Sequence, residues 1–158
     1  VKGRYNKESS FGRDRTPMYN LNHVYVSNES IKIKRFTETV VYYAIQQLMP
    51  RMKTLSVDVI YEENTSSFGY CLSIDAREFE ITLRKNMSHD DLVTTLLHEM
   101  IHVKQYARKE LVQKEAGEYF WMGNPISKDI DYWDLPWEKD AYKTEINLFR
   151  GFTSTSTY

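Results

Sequence analysis

"SHDDLVTTLLHEMIHVKQY", residues 88–106, is the stretch on which the reading of this chain turns. Ser88 reads as a helix N-cap with Asp91 three residues on, so a helix opens there and is expected to run past Tyr106. Leu92, Leu96, Leu97, Met100 and Ile101 give that helix an apolar surface, which holds it against a core. His98 and His102 then stand four apart, one turn above the other on a single face, so two imidazole nitrogens can converge on a metal about 2.0–2.1 Å away. Glu99, beside His98, can reach a metal-bound water without being a ligand. Zinc lowers the pKa of such a water toward roughly 7 and polarises a scissile carbonyl, while the glutamate takes the proton and passes it to the leaving amine. By composition alone His-Glu-x-x-His arises in roughly one such sequence in a hundred, so its place on a core-packed helix carries much of its weight.

A catalytic zinc takes three protein ligands and keeps one position open, so a third ligand is required. The chain has 4 histidines. His23 precedes the core, and His89 lies at the far end of the same helix. The metzincin pattern HExxHxxGxxH is absent, because position 105 is Gln and position 108 is Arg. A downstream carboxylate is the better candidate. In "LPWEKDAYKTEINLF", residues 135–149, Glu138 opens a final helix, and Ala141 one turn later permits close approach to the first. Asp134, Asp140 and Glu145 compete with it. Asp134 sits in the loop before Pro136, Asp140 faces a different side of the helix, and Glu145 lies two turns along on the same face. Glu138 is favoured, with Glu145 next.

Working outward, three strand candidates precede the motif: LSVDVIYE (55–62), FGYCLSID (68–75) and REFEITLRK (77–85). The last alternates Phe79, Ile81 and Leu83 against Glu78, Glu80 and Thr82, which implies one buried and one solvated face. Before them, from about 33 to 49, Phe36, Val40, Ala44 and Leu48, with Val41 and Ile45 beside them, recur at helical spacing until Pro50. Residues 1–29 have no such period and read as an extended basic and polar arm. Residues 30–150 read as the folded domain, broken by Gly123, Asn124, Pro125 and Pro136 between 117 and 136, and 151–158 (GFTSTSTY) as a flexible solvated tail. The expected class is α+β: a small antiparallel or mixed sheet packed on an N-terminal helix and the HExxH helix, with a ligand-bearing C-terminal helix.

Composition sets the outer bounds. At 158 residues, 41% hydrophobic and 27% charged, the chain supports one compact core. A formal net charge of -1 gives no global electrostatic case for nucleic acid or an anionic membrane as partner. The first twenty residues lack the apolar stretch of a signal peptide, and no run approaches the roughly 20 apolar residues of a spanning helix. Cys71, the single cysteine, permits no internal disulfide, which suits a reducing cytoplasm. In a predicted strand it reads as a small buried hydrophobe, with no neighbouring histidine to activate it. A cytoplasmic protein is expected. Lys2, Arg4, Lys7, Arg13 and Arg15 in the arm could contact phosphate backbones, diluted by Glu8 and Asp14, or neighbours in an assembly.

HEMIHVKQY followed by a W-E-x-x-A helix, after a helix and a small sheet, resembles the gluzincin branch of the zincin metallopeptidases. The likeness is to the small single-domain minigluzincins and phage-encoded SprT-like peptidases, and it covers roughly residues 33 to 150 in the order of elements. It implies a zincin-like fold, Zn²⁺ held by His98, His102 and Glu138, Glu99 as general base, and a protein or peptide as substrate. It also implies that the strand Arg77–Lys85 is the sheet edge that holds an extended substrate. A phage origin would place the protein in host cytoplasm or virion, where the alternative role is a structural or assembly protein that keeps the metal-binding fold. The thermolysin-type pattern has an Asp four residues after the ligand glutamate; this chain departs from it with Tyr142, so the resemblance does not carry over that support of a ligand histidine. The third histidine and zinc ribbon of SprT proper do not occur in this sequence. Tyr106, Tyr119, Tyr132 and Tyr142 are the candidates for stabilising an oxyanion.

Overall fold

The computed structural model describes residues 21–155, so residues 1–20 of the expected arm and 156–158 of the expected tail lie outside the described residues. The fold is α+β. A mixed sheet is built from β1 (His23–Ser27), β2 (Ser56–Glu62), β3 (Gly69–Asp75) and β4 (Glu78–Arg84), in the order β1-β2-β4-β3. The first three of these run parallel and β3 closes the sheet antiparallel to β4. Parallel neighbours need a crossover, and the helix α1 (Ile31–Leu48) supplies it between β1 and β2.

Register aligns the apolar residues of the sheet. Val57, Val59 and Tyr61 of β2 stand opposite Phe79, Ile81 and Leu83 of β4, and all six are buried. Onto that face α1 brings Val40, Val41, Ala44 and Ile45, and α2 (His89–Ala107) brings Val93, Leu96, Leu97 and Met100. Both helices open on a serine cap: the Ser30 hydroxyl accepts from Ile33 N at 3.3 Å and the Ser88 hydroxyl from Asp91 N at 3.1 Å. Beyond α2 a small antiparallel sheet follows, β5 (Leu111–Gln113), β6 (Tyr119–Trp121) and β7 (Asn124–Ile126). A 3₁₀ turn (Tyr132–Asp134) then leads into α3 (Pro136–Thr155), whose Pro136 occupies the first helical position, where no N–H is needed. Among the described residues no helix is long and apolar enough to cross a membrane.

Four expectations need correction. Part of the arm belongs to the folded domain, because His23–Ser27 is an edge strand of the mixed sheet with Val26 in the core. Its hydrogen-bonding partner is β2, far along the chain, and five residues alone show too little alternation to announce it. The interval 117–136 is not simply irregular: Met122 and Gly123, at φ 51° and 85°, make the tight turn of a hairpin. The strand Arg77–Lys85 is not the sheet edge. Its hairpin partner β3 covers one side of β4 and the parallel β2 the other, so β3 is the edge and Thr82 is buried inside the sheet. Finally, the tail is helical through Thr155. Phe152 is only 2% exposed, with its ring centroid 5.1 Å from Tyr43 and 6.1 Å from Phe36.

The position of Phe152 makes the last turns of α3 part of the core. Phe152→Ala is expected to destabilise the protein by about 3 kcal/mol, as ring truncation in a packed core does. Thr153→Ala, one residue on at an exposed site, should change stability by less than about 0.5 kcal/mol. Urea unfolding followed by far-UV circular dichroism measures both, and equal small effects would show that this turn contributes nothing to the core.

Candidate metal centre

Helix α2 places His98, Glu99 and His102 in its second half, and its apolar face pins that half to the sheet. The first turn of α3 brings Glu138 to them. Ala141 has no exposed surface, and with only a methyl side chain it lets the two helices approach closely at this point. His98, Glu99, His102 and Glu138 are all buried. The His98 Nε2 lies 3.0 Å from Glu138 Oε1, and the His102 Nε2 lies 3.1 Å from Glu138 Oε2. One ligand atom from each of His98, His102 and Glu138 lies within 4.8 Å of the others, and among the described residues this is the group that could hold a metal ion.

The outer nitrogens of both rings are spoken for. His98 Nδ1 lies 2.6 Å from Glu145 Oε1, and His102 Nδ1 lies 2.8 Å from Gln105 Oε1. Without an ion each Nε2 donates to Glu138; a ring that gives up one proton to take an ion at Nε2 keeps the other at Nδ1, where its acceptor holds it, and that is the tautomer a metal needs. The donor set therefore fits a divalent ion. Glu145, the second choice for third ligand, instead hydrogen-bonds the far nitrogen of His98. The Tyr142 ring packs 4.5 Å from the His98 ring, so support for His98 comes from Glu145 rather than from position 142. Asp140 accepts from Gln105 Nε2 at 2.8 Å and stays outside the cluster. Asp134 is exposed, 3.8 Å from Lys139. The Tyr132 hydroxyl donates to Glu138 Oε1 at 2.9 Å.

Electrostatics follow from this packing. Burial alone would lower His98, but hydrogen bonds to Glu138 and Glu145 override it and push the ring up to about 9. His102 is raised for the same reason, burial being outweighed by its bond to Glu138. Burial would raise Glu138, yet the two histidines hold its carboxyl well below the usual carboxylate range. Glu99 makes no such bond, so burial pushes it up against the pull of His102 and His98.

These groups line one wall of a cleft of about 650 Å³. The edge strand contributes Gly69, Tyr70 and Cys71, the small sheet Tyr119 and Ile126, and α3 Trp137. Cys71 is half-buried, and burial pushes its thiol well above the ordinary value, which makes it a poor nucleophile. Gln105 belongs to no motif in the sequence. Its only signal was the three-residue spacing from His102 on one helix face. No family model matches the chain, and neither a curated protein nor a solved structure matches it.

The site predicts opposite responses to pH with and without an ion. His98 is raised above its unfolded value of 6.5, so its contribution to the ion-free protein is fully present below about pH 6.5 and lost as pH rises through about 9. A bound ion requires unprotonated rings, so the stability it adds falls as pH drops. Tm measured from about pH 6 to pH 9, with EDTA and with excess Zn²⁺, should give two curves that diverge as pH rises. Parallel curves would mean that proton and ion do not share His98.

Proposed function

We propose that this chain is a zinc metallopeptidase of the gluzincin type, with a zincin-like fold, that hydrolyses peptide bonds in a protein or peptide substrate. One observation carries this reading. Two imidazole Nε2 atoms converge on the Glu138 carboxylate, with Glu99 buried alongside and forming no hydrogen bond in the cluster, at the wall of a cleft. Two nitrogens and one carboxylate oxygen suit a tetrahedral zinc with one position left for chemistry. A zinc ion held there supplies Lewis acidity toward a substrate carbonyl and a water molecule.

The protein's own residues do the rest. Glu99, whose proton affinity is raised by burial, takes the proton of the attacking water and delivers it to the departing amine. Glu145 and Gln105 hold the two ligand rings in place. The substrate lies along β3 rather than β4. Arg84 N donates to Phe68 O at 2.8 Å, and backbone direction alternates along a strand, so the N–H and C=O of Gly69 and Cys71 point away from β4, toward the open edge. An extended peptide can add to that edge and present its carbonyl at the site.

Two variants test these roles. Glu99→Gln keeps shape but cannot accept the proton, so it should keep one zinc per chain while its kcat on casein falls by roughly 10²–10⁴. Loss of zinc in that variant would make Glu99 a ligand. Zinc-loaded wild type that cleaves no member of a broad panel of unfolded proteins would leave an ion-binding protein without peptidase activity. Cys71→Pro removes an edge donor without breaking a bond to β4, so it should raise KM sharply with zinc retained. Unchanged kinetics in that variant, with wild-type circular dichroism, would move the substrate elsewhere.

A further inference from the structure

The side chain of Gln105 is fully buried, at 0% exposure, and a buried amide must find partners for two N–H donors and a carbonyl acceptor. Its partners leave no freedom in how it points. The Nε2 lies 3.0 Å from the Trp137 carbonyl oxygen and 2.8 Å from Asp140 Oδ2, both of which only accept. Turning the amide over would set oxygen against a carbonyl and a carboxylate, so Oε1 is directed to His102 Nδ1, 2.8 Å away. That nitrogen must then carry the proton. Trp137 and Asp140 also flank Glu138 on the first turn of α3, whereas Gln105 and His102 share α2. One amide therefore ties together the two helices that supply ligands.

We infer that Gln105 is a positioning residue for the metal: locked by Asp140 and the Trp137 carbonyl, its amide holds His102 by Nδ1 with Nε2 directed into the site and holds the turn that carries Glu138 against α2. The inference rests on reading His98, His102 and Glu138 as a metal site. It assigns Asp140 a role that does not require contact with the metal. It also separates the two histidines, since His98 is oriented by a carboxylate and His102 by a neutral amide whose direction is set from outside.

The test is Zn²⁺ affinity, measured by competition with a chromophoric chelator, together with the Tm of each metal-free protein. Gln105→Leu removes the acceptor at similar size and should weaken Zn²⁺ binding by roughly 10–100-fold, the usual cost of losing such a partner. Asp140→Leu should weaken it as well, and Asp140→Asn, which can still accept from the amide, should restore affinity close to wild type. A structural role alone would lower the metal-free Tm and leave affinity unchanged. A second readout needs no variant: in Zn²⁺-loaded wild type, long-range ¹H–¹⁵N spectra should show His102 protonated at Nδ1 and metal-bound at Nε2. The inference is overturned if folded Gln105→Leu binds Zn²⁺ as wild type does, or if His102 coordinates through Nδ1. If Gln105→Leu does not fold, the His102 spectrum decides. Wild type that binds no Zn²⁺ overturns the metal site and this inference with it, whereas tight wild-type binding beside an unaffected Gln105→Leu overturns the inference alone.

Discussion

A carboxylate withdrawn from water between two helices is costly unless its charge is met, and Glu138 is such a carboxylate. Two imidazoles and the Tyr132 hydroxyl meet it here, and each needs its own support. The contact of α3 with α2 is therefore more than hydrophobic packing. Ala141 makes the approach close enough, Gln105 bonds across it, and Glu145 reaches back to His98 two turns later. Removing Glu145 or Gln105 leaves a buried imidazole nitrogen without its partner, and removing either histidine takes one partner from Glu138.

The sheet matters to the site through its edge. The core strands β2 and β4 carry the apolar rows that anchor α1 and α2, and β3 lies beside α2 at the rim of the cleft. Gly69 permits that closeness, since a methyl group there would stand 2.9 Å from both Leu83 Cδ2 and Thr95 Cγ2 and 3.0 Å from the Thr82 carbonyl oxygen. The cleft thus has a backbone edge on one side and the small sheet with Trp137 on the other. A His-His-Glu cluster that could hold an ion, facing such a groove, is the arrangement from which the peptidase reading is drawn.

Much of this was legible because it is local. The spacing of His98 and His102, the Ser88 cap and the alternation of Phe79, Ile81 and Leu83 each follow from the period of one element, so the sequence by itself determined the HExxH helix and the strand rows. The choice of Glu138 rested on its place at the start of a helix with Ala141 beyond it, and the structure sets both where that argument needs them.

Tertiary structure decided the rest, because it depends on which elements meet. Glu138 and Glu145 share a helix face, and seven residues at about 1.5 Å each separate them by about 10 Å, so only the point where α3 crosses α2 makes one the candidate ligand and the other a support. Strand periodicity says which face of β4 is buried but not which edge is paired, since hydrogen-bonding partners come from distant sequence. The strand His23–Ser27 and the buried Phe152 were invisible for the same reason: a short apolar element in polar surroundings gains its stability from a surface built elsewhere in the chain.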